Sequence, residues 1–259
     1  MKTNQDYIIK YIFGAKTKSR VKTIEHTHYG SKVVPRLTRP YIYGVFLYFG
    51  GNMIKKLIFD LDNTLIMWKD EYVNALKKTI KEHNINEDAN YINSLIDNYE
   101  DYYEKYDKQN LLELINNNIK EKIDMNFIED FLYNIGFMSE PDKNVIETLE
   151  YLSKKYELVV LTNWFKEPQT NRLKTAKIDK YFKKVFGGEE YIKPNKQAFI
   201  NAIENTPSDE CIMIGDSYNI DILGAYNAGI KPIFMNPKNK ENKNNFTEIK
   251  TISELKNIL

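Results

Sequence analysis

Two aspartates, Asp60 and Asp62, follow a short apolar segment in the sequence IFDLDNT. Alternate side chains of an extended chain point to the same side, so the two carboxylates are expected to lie close together. Such carboxylates repel each other unless a cation or a shared proton lies between them. A hard divalent cation such as Mg²⁺ meets that need, and the pair then suits attack on phosphorus by one acid and proton transfer by the other. Taken alone, the pair is more often an acidic turn between a strand and a helix.

Further polar positions follow in a fixed order along the chain. Thr162 and Asn163 come after the apolar run ELVVL and offer a hydroxyl and backbone N–H groups to a phosphate oxygen. Lys193 precedes a helical pattern, where its charge can balance carboxylate and phosphate. Asp216 follows the apolar run ECIMI, and Asp221 lies on the opening turn of the next helix, so both can supply metal ligands. Each residue alone suits an ordinary role as a cap, surface lysine, turn or first-turn acid, but the ordered set predicts a phosphate and metal site.

Short apolar runs alternate with helical patterns after residue 53. Strands are predicted at 55–60, 157–161, 210–214 and 232–235, and helices at 142–155, 167–176, 196–205 and 219–228. This alternation is typical of a parallel sheet covered by helices on both faces. Ligands bind such sheets beyond the carboxyl ends of the strands, where the polar residues fall. The predicted fold class is therefore α/β, with a Rossmann-like three-layer α/β/α core around a parallel sheet.

Residues 67–139 interrupt the alternation. Leucines and isoleucines at three- and four-residue spacing predict helices at 71–83, 90–106, 110–119 and 125–135, without a convincing strand. An insert of this kind directly after the first strand predicts an all-helical cap over the strand ends. Its tyrosines either line a substrate pocket or, in the simpler interpretation, pack between the cap helices: Tyr99, Tyr102, Tyr103 and Tyr106.

The first 52 residues differ from the rest of the chain. They hold nine lysines and arginines against two acids, Asp6 and Glu25. Such a segment is either a presequence or, more simply, an upstream stretch before a functional start at Met53. In both cases we expect a poorly ordered basic extension outside the chemistry. The predicted domains are this N-terminal extension at 1–52, the α/β core at 53–66 and 140–259, and the cap at 67–139.

Composition narrows the choice of partner and compartment. The net charge of +1 does not call for nucleic acid or an anionic membrane. The longest apolar stretch, YIYGVFLYF at 41–49, is nine residues long, whereas a spanning helix needs roughly 20. The single cysteine, Cys211, fits a reducing interior. We therefore expect a cytoplasmic protein whose partner is a small phosphorylated metabolite, with no nucleic acid polymer and no membrane.

The segments IFDLDNTL, LTN, KPN and GDSYNIDILGA resemble, in the same order, the four motifs of the haloacid dehalogenase superfamily. The resemblance runs from about Ile54 to the C-terminus, where TISELKNIL resembles that family's closing strand, turn and helix. Residues 67–139 occupy the place of the family's helical C1 cap. The stretch LTNWFKEPQTNRL and the residues after it resemble the branch that holds pyrimidine 5′-nucleotidases, and phosphoglycolate phosphatases share the architecture.

The resemblance implies a role for each motif residue. Asp60 is expected to form an aspartyl-phosphate, Asp62 to act as general acid and then base, and Thr64 to orient the Asp60 region. The implied phosphate-binding residues are Thr162, Asn163 and Lys193, of which Lys193 also steadies the nucleophile. The implied metal ligands are Asp60, Asp216 and the backbone carbonyl of Asp62, with Asp221 in or next to that shell.

Asp62 also separates two reactions within the superfamily. Cleavage of a carbon–halogen bond expels a halide that needs no proton, whereas an alkoxide leaving phosphorus does need one. The sequence therefore predicts a Mg²⁺-dependent phosphatase of small phosphate monoesters, with nucleoside 5′-monophosphates among the candidates. A phosphomutase is the first alternative, and a non-catalytic binding protein on the same scaffold is the second. Trp164 either stacks on a base or fills space beneath the cap, and no role is assigned to Glu189 and Glu190.

Overall fold

The computed structural model describes residues 48–49, 52–67, 70–137, 141 and 143–259. The predictions for residues 1–47 lie outside this part of the chain. At the start of the described part, Tyr48–Phe49 (β1) and Asn52–Met53 (β2) pair antiparallel, a short hairpin that the sequence did not predict. The α/β chain described below begins directly after this hairpin.

Six strands form one parallel sheet in the order β5-β4-β3-β6-β7-β8. Their bounds are Lys56–Phe59 (β3), Glu157–Leu161 (β4), Lys184–Phe186 (β5), Cys211–Gly215 (β6), Lys231–Met235 (β7) and Thr247–Ile249 (β8). The four predicted strands are β3, β4, β6 and β7, so the α/β prediction is confirmed. The edge strands β5 and β8 have only three residues each. The sequence pattern did not predict β5, and the closing strand β8 was expected later in the chain.

Helices cover both faces of this sheet. They are Lys143–Leu152 (α5), Lys166–Thr175 (α6), Lys196–Ile203 (α7), a π-helical turn at Tyr218–Ile222 that continues into Leu223–Asn227 (α8), and Leu255–Ile258 (α9). Successive strand side chains point to opposite faces. Leu57 and Phe59 accordingly lie in one apolar cluster and Ile58 in another, which gives the predicted three layers.

The chain between β3 and α5 is helical, and residues 70–137 are called the helical insert below. Its helices are Glu71–Glu82 (α1), Ala89–Asp97 (α2), Lys108–Asn118 (α3) and Met125–Ile135 (α4). Three of them begin at aspartates whose side chains accept backbone N–H bonds, namely Asp88, Asp107 and Asp124. The insert has its own apolar cluster, which Trp164 and Phe165 of the sheet domain join. The proposed cap and core boundaries stay a prediction.

Two local expectations differ from the structure. The helix predicted at 90–106 ends at Asp97 and is followed by a 3₁₀ turn at Tyr99–Asp101. The closing strand lies at Thr247–Ile249, before the segment TISELKNIL, where Thr251 and Glu254 form a capping box ahead of α9. None of the helices in the described residues is long and apolar enough to cross a membrane.

Candidate active site

Asp60 directly follows the central strand β3. Its backbone N–H donates to the carbonyl of Ile214 in β6 at 2.9 Å, which fixes the carboxyl end of the strand against its neighbour. The chain then turns sharply, with Asn63 at a φ of 60°. The hydroxyl of Thr64 donates to Oδ2 of Asp60 at 3.1 Å, which agrees with the orienting role expected for this residue. The Asp60 carboxylate is therefore held in part by Thr64, a residue of the loop that follows β3.

Lys193 joins two of the predicted acids. Its Nζ donates to Oδ1 of Asp60 and to Oδ1 of Asp221, both at 2.7 Å, and the residue is 2% exposed. Asn163 positions this lysine through its backbone, because the Asn163 Oδ1 accepts from Lys193 N at 2.7 Å and its Nδ2 donates to Lys193 O at 2.9 Å. Asp60 and Asp221 thus meet at the ammonium group of Lys193, although they lie 133 and 28 positions from it in the sequence.

Three carboxylates lie together beside this lysine. Oxygen atoms of Asp60, Asp216 and Asp221 are all within 4.8 Å of one another. Asp221 also accepts from the backbone N–H of Ser217 at 3.0 Å. The approach is close, since a Cβ added at Gly215 would lie 2.4 Å from Oδ2 of Asp221. Position 215 at the end of β6 therefore requires glycine, because a larger residue there would displace the Asp221 carboxylate.

The electrostatics of this group favour a cation. Burial raises the pKa of Asp60 to about 7, helped by Asp221 and opposed by Lys193. Burial likewise raises the pKa of Asp216 above its ordinary value, against the nearby Lys240. Burial by itself lowers the pKa of Lys193, but Asp221 and Asp60 outweigh it and raise that pKa. Three acids beside two ammonium groups, Lys193 and Lys240, leave a net negative charge, which a further cation would relieve.

The Asp62 side chain contacts α6 and is not one of these three carboxylates. Its Oδ1 accepts from Nη1 of Arg172 at 2.6 Å, and its Oδ2 accepts from Nε2 of Gln169 at 2.9 Å. The Asp62 carboxylate is thus absent from the three-carboxylate group of the described residues. The repulsion expected between Asp60 and Asp62 is answered by two separate cations, Lys193 for the first and Arg172 for the second.

Arg172 and Gln169 are the site residues that the sequence analysis missed. Both are 0% exposed, although both are polar. Three residues apart on one helix, they lie on the same helix face, and Gln169 also donates to the Thr162 hydroxyl at 3.0 Å. The available signal was their three-residue spacing on a helix that begins just after Thr162 and Asn163. That spacing does not show which loop packs against the helix face that carries them.

Two of the predicted phosphate-binding residues, Thr162 and Asn163, directly follow the strand β4. Thr162 is 3% exposed, and β4 is the neighbour of β3, which Asp60 follows. The amide of Asn163 is engaged with Lys193 and also donates to both carboxylate oxygens of Glu100 at 3.1 Å. Glu100 belongs to the helical insert, so this contact links the insert to the site.

The remaining sequence expectations concern aromatic and acidic residues near the site. Trp164 is 6% exposed and packs edge-on against Tyr72 and Tyr106, with ring centroids 5.1 and 4.8 Å away, as the space-filling interpretation requires. Tyr106 stacks on Tyr99, whereas Tyr102 is 70% exposed.

The two unassigned acids contact neighbours other than Lys193: Glu189 accepts from Lys166 N at 2.7 Å and Glu190 from Asn201 Nδ2 at 2.9 Å.

Known proteins share this sequence pattern and fold. The family model described as haloacid dehalogenase-like hydrolase matches residues 57–235. Pyrimidine 5′-nucleotidase PynA of Streptococcus pneumoniae is 27% identical over 73% of this chain and 86% of its own length. Phosphoglycolate phosphatase of Aquifex aeolicus is 27% identical over 69% of this chain and 83% of its own length.

Solved structures share this fold. The putative HAD-hydrolase YfnB from Bacillus subtilis, bound to magnesium, superposes with a TM-score of 0.61 at 23% identity, over 80% of this chain and 98% of that one. A HAD phosphatase from Thermococcus onnurineus superposes with a TM-score of 0.60 at 23% identity, over 79% and 97%.

Proposed function

Because the chain belongs to the haloacid dehalogenase-like hydrolase family and is a phosphatase of it, we propose that it hydrolyses small phosphate monoesters with Mg²⁺ through an aspartyl-phosphate on Asp60. The observation that carries this proposal is the buried ammonium of Lys193, 2.7 Å from both Asp60 and Asp221. Such a cation holds the nucleophile and can meet an incoming phosphate. Nucleoside 5′-monophosphates are candidate substrates, since PynA carries the name of a pyrimidine 5′-nucleotidase.

The acidic group fits a magnesium ion. Asp60, Asp216 and Asp221 offer carboxylate oxygens, the ligand type that Mg²⁺ prefers, and Lys193 and Lys240 compensate only part of their charge. We assign these three acids as ligand candidates. For Asp62 the assignment concerns its backbone carbonyl, because its carboxylate contacts Arg172 and Gln169. When bound, Mg²⁺ would supply positive charge to the phosphate oxygens as negative charge builds up on them.

The first half of the proposed reaction transfers the phosphoryl group to the protein. One carboxylate oxygen of Asp60 attacks phosphorus, and the bond between phosphorus and the ester oxygen breaks. Asp62 gives a proton to that leaving oxygen, which departs as an alcohol. Lys193 and the hydroxyl of Thr162 hold phosphate oxygens during the transfer.

The second half releases phosphate. Asp62, now ionised, takes a proton from a water molecule that attacks the phosphorus of the aspartyl-phosphate. The bond between phosphorus and Asp60 breaks, which restores the carboxylate and yields inorganic phosphate. The same residue thus serves as acid and then as base, which requires its carboxylate to keep a constant direction.

The test is a screen of phosphate monoesters with the full chain and Mg²⁺, in which released phosphate is measured. Acid quenching with ³²P-labelled ester should leave label on the wild-type protein and none on Asp60→Asn. Formation of an isomeric phosphate ester without inorganic phosphate would instead support a phosphomutase. A protein that neither releases phosphate nor takes up label would contradict the proposal.

A further inference from the structure

A cleft of about 500 Å³ opens beside Lys193, between the helical insert and the loop that precedes α7. We call it the insert cleft and define it by its lining residues. One wall is residues 100–104 of the insert, and the other is residues 192–195, which include Lys193. The cleft therefore adjoins the lysine that contacts the proposed nucleophile Asp60.

Glu100 connects the insert wall to the site. Its Oε1 accepts from the Tyr106 hydroxyl at 3.0 Å and from Nδ2 of Asn163 at 3.1 Å. Asn163 in turn holds the backbone of Lys193, so only one side chain separates Glu100 from the lysine. Asn163 Nδ2 also donates to Oε2 of Glu100 at 3.1 Å, so a carboxylate with about four acceptor positions has about one left for a substrate donor.

The charge of the insert wall is negative. Glu100, Asp101 and Glu104 all line the cleft, and Asp101 and Glu104 are exposed. Within the described part of the chain, neither Asp101 nor Glu104 forms an ion pair. The single lining cation, Lys193, is already bonded to Asp60 and Asp221. A second anionic group on a substrate would therefore meet uncompensated like charge in this cleft.

We propose, on the basis of the proposed function, that the insert cleft receives the leaving group and that Glu100 selects its charge. The preferred substrates are phosphate monoesters whose leaving group carries hydroxyl or ammonium donors and no second anion. The phosphate itself is accepted because Lys193 and the metal would balance its charge. Phosphorylated carboxylates such as phosphoglycolate are disfavoured, and ribose-like leaving groups are favoured.

Three two-carbon esters test this selection because they differ mainly in charge. Phosphoglycolate carries a carboxylate, 2-hydroxyethyl phosphate a hydroxyl, and 2-aminoethyl phosphate an ammonium group. Their competitive inhibition constants against p-nitrophenyl phosphate hydrolysis are measured with the full chain and Mg²⁺. Phosphate released from each ester is followed alongside, because the constant of an ester that is turned over is its KM and not its dissociation constant. We expect phosphoglycolate to bind at least tenfold more weakly than the other two, with a smaller gap at high salt because salt screens charges.

Two variants assign the effect to the insert wall. Glu100→Gln keeps an oxygen that can accept from both Tyr106 and Asn163, so it should fold while losing the charge. Glu104→Gln removes a wall charge that makes no contact with Asn163. Both variants should reduce the ratio of the inhibition constants of phosphoglycolate and 2-hydroxyethyl phosphate at least threefold. Glu113→Gln, an exposed insert acid outside the cleft lining, should leave the gap unchanged.

The outcomes separate the two proposals. If the protein does not hydrolyse p-nitrophenyl phosphate with Mg²⁺, the proposed function fails and this inference fails with it. If it hydrolyses that ester but binds the three two-carbon esters equally well, charge selection is overturned and the phosphatase assignment stands. A gap that persists unchanged in Glu100→Gln and Glu104→Gln would also overturn the role of the insert wall.

Discussion

The guanidinium of Arg172 donates from Nη1 to Oδ1 of Asp62 at 2.6 Å, and Arg172 is wholly buried while the Asp62 side chain is 20% exposed. Gln169 holds the second oxygen of the same carboxylate at 2.9 Å. A carboxylate held at both oxygens has a fixed direction. Arg172 and Gln169 therefore act as positioning residues for the group proposed to move the proton.

Removing the arginine tests this positioning role. Arg172→Met should lower kcat for alkyl phosphates by about 10- to 100-fold with a smaller change in KM, because misplaced groups lose much of their catalytic effect. Loss of one partner of a buried ion pair costs about 3–5 kcal/mol, which the partial exposure of Asp62 reduces. Lys174→Met, an exposed change on the same helix, is the control for folding and expression.

A double-mutant cycle separates positioning from a general loss of stability. If Arg172 acts through Asp62, then Arg172→Met should lower the activity of the Asp62→Asn protein by less than about threefold, because coupled residues are non-additive. Equal losses in the wild-type and Asp62→Asn backgrounds would show that Arg172 supports the fold and does not position Asp62.

The central strands were predictable because their residues are almost all apolar. Strands β3, β4, β6 and β7 are buried on both faces, which produces continuous apolar runs in the sequence. The rule that ligands gather beyond the carboxyl ends of parallel strands predicts that the polar residues meet there. Asp60, Lys193, Asp216 and Asp221 do lie together, whereas the Asp62 carboxylate contacts Arg172 and Gln169. These contacts depend on strand order, which a parallel α/β pattern largely fixes.

Contacts that depend on helix rotation were not predictable. The pairing of Asp62 with Arg172 requires knowing which face of α6 packs on the β3 loop, and the link from Asn163 to Glu100 requires the placement of the insert. The end of the predicted helix at 90–106 depends instead on a local side-chain contact. The hydroxyl of Tyr99 donates to the carbonyl of Lys105 at 3.0 Å, which stabilises a turn there in place of a helix.

The role of Asp62 as general acid predicts a dependence on the leaving group. Asp62→Asn should lower kcat for alkyl phosphates by about 10²–10⁴-fold, the usual contribution of general acid–base catalysis. The loss should be far smaller for formation of the aspartyl-phosphate from p-nitrophenyl phosphate, because nitrophenolate leaves without a proton. Rapid-quench measurement of both substrates gives the comparison. A uniform loss across leaving groups would contradict proton donation by this residue.

The buried carboxylate of Asp60 predicts a pH-dependent stability in EDTA. Burial raises its pKa from 3.8 to about 7, so the folded protein holds a proton between these values that the unfolded chain releases. The contribution of this group to the free energy of unfolding therefore falls as pH rises from about 4 to 7 and is level above that range. The Asp60→Asn variant has no titrating group at this position, so its free energy of unfolding should not fall in this way.

We therefore expect Asp60→Asn to have no turnover yet to unfold at a higher temperature than the wild type at pH 8 in EDTA. A difference of about 2–4 °C corresponds to about 1 kcal/mol in a chain of this size. At pH 5 the difference should shrink, because the wild-type carboxyl group is then protonated. Thermal unfolding followed by circular dichroism at both pH values measures it, and a variant that is less stable at pH 8 would argue against buried charge as the cause.

The metal assignment predicts stabilisation by Mg²⁺ that does not depend on turnover. An ion that binds only the folded protein adds about 2.7 kcal/mol at 100 times its dissociation constant, or a rise of about 5–10 °C in unfolding temperature. Asp216→Asn should lose at least half of this rise. The variant should fold, because the partner it leaves, Lys240, is 44% exposed and can be hydrated. Glu241→Gln, at a 74% exposed acid in the adjoining loop, should keep the full rise. Equal stabilisation of both variants would remove Asp216 from the ligand set, and no stabilisation of the wild type would remove the magnesium site itself.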